Sequence, residues 1–191
     1  MTRKFLGIIV LACAVPALQG CFPLAVTGVG AAAVMASDRR TTGTYIEDEG
    51  IEWKVIGKVR DRFRSAHVNA VSFNRRVLLT GEAPDEEARK QIEEAVRSID
   101  NVKDVINELQ VAGASSLASR GNDALVTSNV KARMVNNGKF SPVHVKVVTE
   151  AGAVFLMGLV TVQEGDAAVE IARNTSGANR VVKVFEYVGN K

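Results

Sequence analysis

The chain contains one pattern twice, and this internal repeat constrains its fold more than any other feature. In each copy an amphipathic stretch is followed by two apolar, strand-like runs, a second helical stretch and a last strand-like run. Gly81 and Gly158, which end the second strand-like runs, are 77 positions apart. Val59 and Val130, in the first helical stretches, are 71 positions apart, which predicts about six extra residues between the first helix and the first strand of the second copy.

The pattern of apolar residues in each copy predicts the order α-β-β-α-β. In the second copy, Glu150-Ala151-Gly152-Ala153 is typical of a hairpin turn because glycine readily adopts positive φ. In the first copy, Pro84-Asp85 predicts the start of the second helix. Strands joined through a helix should be parallel, whereas the hairpin is antiparallel. We therefore predict the α+β class, with two tandem domains that each pack a three-stranded mixed sheet on two helices.

The remaining segments set the domain boundaries. We predict a first domain at residues 50–111 and a linker of small residues at 112–121. The second domain follows at 122–191, where Asn122-Asp123 would cap its first helix. Residues 21–49 are interpreted as a lipidated N-terminus and flexible tether, whose last acidic residues favour the start of the following helix.

Residues 1–20 have the composition of a bacterial signal peptide. A short basic start precedes an uncharged run of about 14 residues, shorter than the roughly 20 that a membrane-spanning helix needs. Leu18-Gln19-Gly20-Cys21 resembles the lipobox, in which the cysteine is acylated and becomes the first residue of the mature protein. Two or more acyl chains hold a protein stably at a membrane. The alternative is an ordinary secretory signal in which Cys21 is incidental.

The mature chain that this cleavage would leave offers few groups for chemistry. Cys13 would be removed and Cys21 acylated, so no thiol remains for a disulfide, a nucleophile or a Cys-based metal site. His67 and His144 lack the spacing of metal ligands. Loss of the two basic residues of the signal peptide lowers the net charge from +3 to +1, without the basic cluster that nucleic-acid binding needs. We predict no catalytic residue, metal, cofactor or nucleic-acid partner.

Three segments carry a family resemblance. Val77-Leu78-Leu79-Thr80-Gly81 and Val154-Phe155-Leu156-Met157-Gly158 each end a hairpin, and Val105-Ile106-Asn107-Glu108-Leu109 follows a helix. This arrangement resembles the BON domain, a family of periplasmic and outer-membrane proteins linked to phospholipid binding. The resemblance implies a non-enzymatic lipoprotein that faces the periplasm and is held at the outer membrane by acylated Cys21. It also implies binding of anionic phospholipid of the phosphatidylglycerol kind and support of envelope integrity.

The resemblance further implies that the lipid-facing surface is the first helix of the second domain, where Leu125 replaces a tryptophan of relatives. Independently, if Val126, Val130 and Met134 face the core, Leu125 is rotated by about 100° from that face. An exposed apolar residue beside cations suits an anionic bilayer. The predicted phospholipid-binding residues are Leu125, Ser128, Lys131, Arg133, Val135 and Lys139. Packing of Leu125 against the first domain or the linker is the alternative.

A second hypothesis is a periplasmic adaptor that docks envelope or outer-membrane assembly proteins. Three-stranded sheets have strand edges, and such edges are natural docking surfaces. The tether and the two domains would then act as a scaffold for protein partners.

Overall fold

A computed structural model describes residues 37–189; the predicted signal peptide and Cys21 lie outside these residues. The described helices and strands are, in chain order, α1 (Thr42–Arg62), β1 (His67–Phe73), β2 (Arg76–Ala83), α2 (Glu86–Arg97), β3 (Asp104–Asn107), β4 (Gln110–Val111), α3 (Leu117–Val135), a 3-10 helix (Pro142–His144), β5 (Val145–Glu150), β6 (Ala153–Val160), α4 (Val162–Arg173) and β7 (Arg180–Tyr187). The predicted order α-β-β-α-β occurs twice. Within residues 37–189, no helix combines the length and the apolar composition needed to cross a bilayer.

Each copy forms one mixed sheet, which confirms the predicted fold class. In the first sheet β1 and β2 are antiparallel, and β3 runs parallel to β2 on its other side. The predicted last strand is interrupted at Glu108 and Leu109, and its continuation, β4, also pairs with β2. In the second sheet β5 and β6 form the antiparallel hairpin and β7 lies parallel to β6.

The first helix of each domain begins earlier than predicted. α1 begins at Thr42 after the N-cap Thr41, so its first two turns fall in the segment interpreted as a tether. α3 begins at Leu117 after the N-cap Ser116, inside the predicted linker. In both cases the cap hydroxyl accepts a hydrogen bond from a backbone N–H of the first turn. Hydroxyl side chains are favoured at this position because those N–H groups lack partners within the helix.

The two first helices match in a register that differs from the predicted one. The core-facing residues are Asp48, Ile51, Val55 and Val59 in α1, and Asp123, Val126, Val130 and Met134 in α3. Corresponding residues are 75 positions apart, so the offset of 71 is wrong by one helical turn. The error arose because residues four apart lie on the same helix face and valine recurs at this spacing. With hairpin turns 77 positions apart, the second copy holds two extra residues rather than six.

Gly81 and Gly158 lie where two backbones approach closely. A Cβ atom at Gly81 would lie 2.2 Å from the carbonyl oxygen of His67, and one at Gly158 would lie 2.4 Å from that of His144. Gly81 also has a φ of 109°, which non-glycine residues rarely adopt. The matching glycines of the repeat therefore allow the second strand of each hairpin to approach its neighbour.

The described residues contain three apolar clusters. Each domain has a core between its sheet and its two helices. The third cluster joins the opposite faces of the two sheets, through Phe73 and Leu78 from the first and Phe155, Met157 and Val184 from the second. β2 and β6 are therefore buried on both faces, and this explains their continuous apolar sequences, since a strand with one solvated face would alternate.

The residues just before α1 also belong to the folded unit. The side chain of Arg40 is only 7% exposed; it pairs with Asp38 and Asp48 and lies over the ring of Phe73, 4.0 Å from the ring centroid. A guanidinium this deeply buried needs such partners. The predicted tether therefore includes residues that are packed against the first domain.

Arg39 extends to the second domain. Its guanidinium donates hydrogen bonds to the carbonyl oxygen of Leu159, at 2.8 Å, and to Oε1 of Glu164, at 2.9 Å. Glu164 also completes a capping box with Thr161 at the start of α4. The Arg39 guanidinium lowers the pKa of the Glu164 carboxyl to about 2, against the opposing effect of burial.

Candidate functional site

The outward face of α3 carries most of the predicted lipid-binding residues. The core-facing residues of this helix are buried, whereas Leu125 and Val135 are each 65% exposed. Ser128 is exposed between them, and its hydroxyl donates to the carbonyl oxygen of Ala124. At 100° per residue, Leu125 and Ser128 lie nearly opposite the core. Leu125 therefore does not pack against the first domain or the linker.

Asp123, predicted as a helix cap, instead fixes α3 to the neighbouring hairpin. Its carboxylate is buried and accepts hydrogen bonds from the backbone N–H groups of Ala151 and Gly152, both at 2.9 Å. These two residues have positive φ and form the turn between β5 and β6. The cap prediction was wrong because the helix begins at Leu117, which places Asp123 within it. The bonds hold the outward face of α3 in a fixed position on the domain.

The three predicted cations occupy different surroundings. Lys131 is exposed on the flank of the outward face. Arg133 lies on the other flank and donates hydrogen bonds to the Asn174 carbonyl oxygen and, at 3.1 Å, to Thr175 Oγ1. Nζ of Lys139 lies 3.8 Å from Glu170 on the surface of α4. Exposed pairs of this kind contribute little, so Lys139 remains available to an anion, whereas Arg133 also fastens α3 to the end of α4.

The matching face of α1 also carries large apolar side chains. Trp53 is 70% exposed and Ile46 is 63% exposed. With the 75-residue offset, Trp53 corresponds to Ser128, and Gly50 to Leu125. This face was not predicted from the sequence. The signal was present, since Trp53, the only tryptophan of the chain, lies two residues from Val55 and therefore off the core face.

A cluster of titratable groups lies between the domains. A ring nitrogen of His67 and carboxylate oxygens of Glu82 and Glu150 all lie within 4.8 Å of one another. His67 Nδ1 is 2.9 Å from Glu82, and Glu150 accepts hydrogen bonds from Asn69 and Thr80. Burial raises the pKa of Glu82, but hydrogen bonding, chiefly with His67, outweighs it and lowers the pKa below its ordinary value. These partners make the cluster a polar network that joins the two domains.

Two segments of the chain match the family model of the BON domain, at residues 47–113 and 122–189. The chain belongs to the BON domain family. The matched segments begin five residues after the start of α1 and α3, respectively, and end beyond the last strand of each sheet.

Several relatives share most of the length of the chain. It is 40% identical over 174 residues to the outer membrane lipoprotein DolP of Haemophilus influenzae, with 90% of each chain covered. It is 33% identical over 154 residues to a 21 kDa hemolysin of Actinobacillus pleuropneumoniae, with 79% of each chain covered. Osmotically-inducible protein Y of Escherichia coli is 29% identical over 153 residues, which cover 76% of this chain and 75% of the relative. The similarity to DolP indicates an outer-membrane lipoprotein with two BON domains.

Proposed function

We propose that the protein is non-enzymatic, binds anionic phospholipid through the outward face of α3, and supports the integrity of the cell envelope. The observation that carries this proposal is the position of Leu125, a large apolar side chain exposed to solvent on the helix face opposite the core. Shallow insertion would bury this side chain, a gain of about 1.5 kcal/mol or more when complete. A cation near an anionic bilayer adds about 1 kcal/mol, and Lys131 is exposed on the flank of this face.

Contacts with free energies of this order give weak binding to a bilayer, and a membrane anchor would compensate for it. We propose that residues 1–20 are removed and that Cys21 is acylated. α1 begins 21 positions after Cys21, so the folded unit would stay close to the membrane surface. Tethering raises the effective concentration of a weak binding face. A single exposed leucine with nearby cations then suffices for repeated contact with the bilayer.

The buried acidic residues support a binding protein rather than an enzyme. Asp48 and Asp123 accept hydrogen bonds from the backbone of hairpin turns. Glu82 and Glu150 have partners within the network that joins the domains. A general acid or base must reach a substrate proton, whereas these carboxylates are already engaged in holding the fold.

Vesicle co-sedimentation tests the proposal. The form that lacks residues 1–21 keeps the whole compact unit from Ser37 onward. We expect it to sediment with phosphatidylglycerol vesicles and less with phosphatidylcholine vesicles. Leu125→Glu should weaken sedimentation by about tenfold or more, because it places an anion against an anionic surface.

Val162→Glu is the matched control, since Val162 is also largely exposed but lies on α4. It should bind as the unaltered chain does. Equal binding by the Leu125→Glu variant and the unaltered chain, or no binding by either, would show that the proposed site is wrong. Recovery of one protein by crosslinking in cells, together with absent lipid binding, would favour the adaptor hypothesis.

A further inference from the structure

The outward face of α1 exposes three large apolar side chains. Trp53 and Ile46 are the most exposed, and Ile56 is 43% exposed. Their spacing places them along one side of the helix, away from the core-facing Val55 and Val59. Trp53 and Ile56, three residues apart, are neighbours on the helix surface, whereas Glu49 lies between Ile46 and Trp53. Single exposed apolar residues are common on protein surfaces, but neighbouring ones indicate a contact surface.

A cavity of about 540 Å³ adjoins this face, between the end of α1 and β1. Apolar side chains line much of it, among them Ile56, Val59, Phe63 and Val68. Its volume is within the range of pockets that hold small ligands. Ile56 belongs both to the cavity and to the exposed face, so the two adjoin at this residue.

Cations surround the mouth of this cavity. Arg60 and Arg64 line it, and Arg62 is exposed and lies over the ring of Phe63, another lining residue. Asp61 is the acidic residue of the lining, and it lies 3.7 Å from Arg60 with both side chains more than 70% exposed. An exposed pair of this kind is weak and exchanges readily with other anions. The rim therefore has an excess of positive charge, with guanidinium groups that match the geometry of a phosphate.

This combination fits a phospholipid better than a protein. The indole ring of Trp53 is apolar while its N–H is polar, which suits the headgroup zone of a bilayer. The cavity would accept an apolar chain, and the arginines at its mouth would accept the phosphate. α1 begins 21 positions after Cys21, the proposed anchor. A chain of 21 residues spans at most roughly 70 Å.

We propose that the α1 face and its cavity form a second surface for anionic phospholipid, in the first domain. Ile46, Trp53 and Ile56 would enter the headgroup zone, while Arg60 and Arg64 pair with lipid phosphate. The inference rests on the proposed function only for the class of ligand, because its residues are separate from those on α3.

The single tryptophan makes the test direct, since all tryptophan emission comes from Trp53. The form that lacks residues 1–21 is titrated with phosphatidylglycerol vesicles. We expect the emission to shift to shorter wavelength and to be quenched by lipids brominated on the acyl chain. An unchanged emission in vesicles that sediment with the protein would overturn the inference. A shift of equal size with phosphatidylcholine vesicles would overturn the role of the arginines.

Charge reversal gives a second measurement. Arg64→Glu should weaken sedimentation with phosphatidylglycerol vesicles by about tenfold. Lys90→Glu is the matched control, because Lys90 is an exposed cation of the same domain on α2. Equal effects of the two substitutions would mean that only the net charge of the protein matters, and this would contradict the site.

Leu125→Glu separates this inference from the proposed function. If Trp53 emission still shifts in this variant, the α1 surface binds lipid without the α3 face. If the unaltered chain sediments with vesicles, Leu125→Glu does not, and Trp53 emission stays constant, the proposed function holds and the α1 surface is wrong. If Trp53 emission shifts and Leu125→Glu has no effect on sedimentation, the α1 surface holds and the α3 site is wrong.

Discussion

α1 and α3 hold the same place in two copies of one fold, yet they differ on the side that faces solvent. Their inward faces match residue for residue, down to the buried aspartates that bind the hairpin turns. Their outward faces do not match, since α1 presents Trp53 and α3 presents Leu125. The fold therefore fixes the inward residues, whereas the outward residues are free to differ between the copies.

The aspartates give the largest expected difference between the copies. Asp48 accepts hydrogen bonds from the backbone of Asn74 and Arg75 and from the buried Ser72 hydroxyl, and it also pairs with buried Arg40. Asp123 binds only its turn among the described contacts. Asp48→Ala should lower the free energy of unfolding by about 4 kcal/mol, because it weakens the pairing of a buried cation as well. Asp123→Ala should cost about 2 kcal/mol.

Urea denaturation of both variants measures these values. Equal losses would mean that the pairing of Arg40 with Asp38 is sufficient and that the Ser72 hydroxyl loses little without Asp48.

The matched glycines give the next largest effect. Alanine at either position would place Cβ against a backbone carbonyl oxygen. Gly158→Ala should cost about 2 kcal/mol for this contact. Gly81→Ala should cost about 3 kcal/mol, since Gly81 also has positive φ. Thermal unfolding of the two variants compares them, and a larger loss for Gly158→Ala would contradict the argument from φ.

The segment before α1 contacts the second domain through Arg39. The stability that this contact contributes should depend on pH. Folding lowers the pKa of Glu164 from 4.5 to about 2. The ion pair therefore stabilises the folded state above pH 4.5, and its contribution of about 2 kcal/mol is lost as the pH falls towards 2. Unfolding by urea at pH 7 and pH 3 should show that Glu164→Gln is destabilised at pH 7 and less so at pH 3. A constant difference between the variant and the unaltered chain would contradict the low pKa.

Substitutions on the outward faces of α1 and α3 should have the smallest effect on stability. Trp53→Gln and Leu125→Gln should each change the free energy of unfolding by no more than about 0.5 kcal/mol, because both side chains are exposed. Urea denaturation measures this, with Val162→Gln as a control on α4. A loss above about 2 kcal/mol for either helix would mean that its outward face packs within the protein and is not a lipid surface.

Much of the fold could be predicted because its signals are local. The turn at Ala151 and Gly152, the helix cap at Asp85 and the glycines that end the hairpins each follow from the conformational preferences of single residues. The first-helix register could not be fixed, because Val126 and Val130 are both core-facing and four apart. The packing of the two sheets was missed, although the unbroken apolar run of β6 indicates a strand buried on both faces.

The candidate site was predicted in part for the same reason. The exposure of Leu125 follows from helix periodicity. The partners of Arg133 could not be predicted, because Asn174 and Thr175 are distant in sequence and come close only through the packing of α3 on α4. The exposed face at Trp53 was not predicted, because the family resemblance implies a lipid-facing helix in the second domain alone.

The apolar cluster between the two sheets makes each domain dependent on the other. A first domain separated at the linker would expose Phe73 and Leu78 to water, and a separate second domain would expose Phe155 and Met157. Each half would then carry an uncovered sheet face, which favours aggregation. The two copies should therefore unfold in one cooperative step, since neither sheet can cover its outer face without the other.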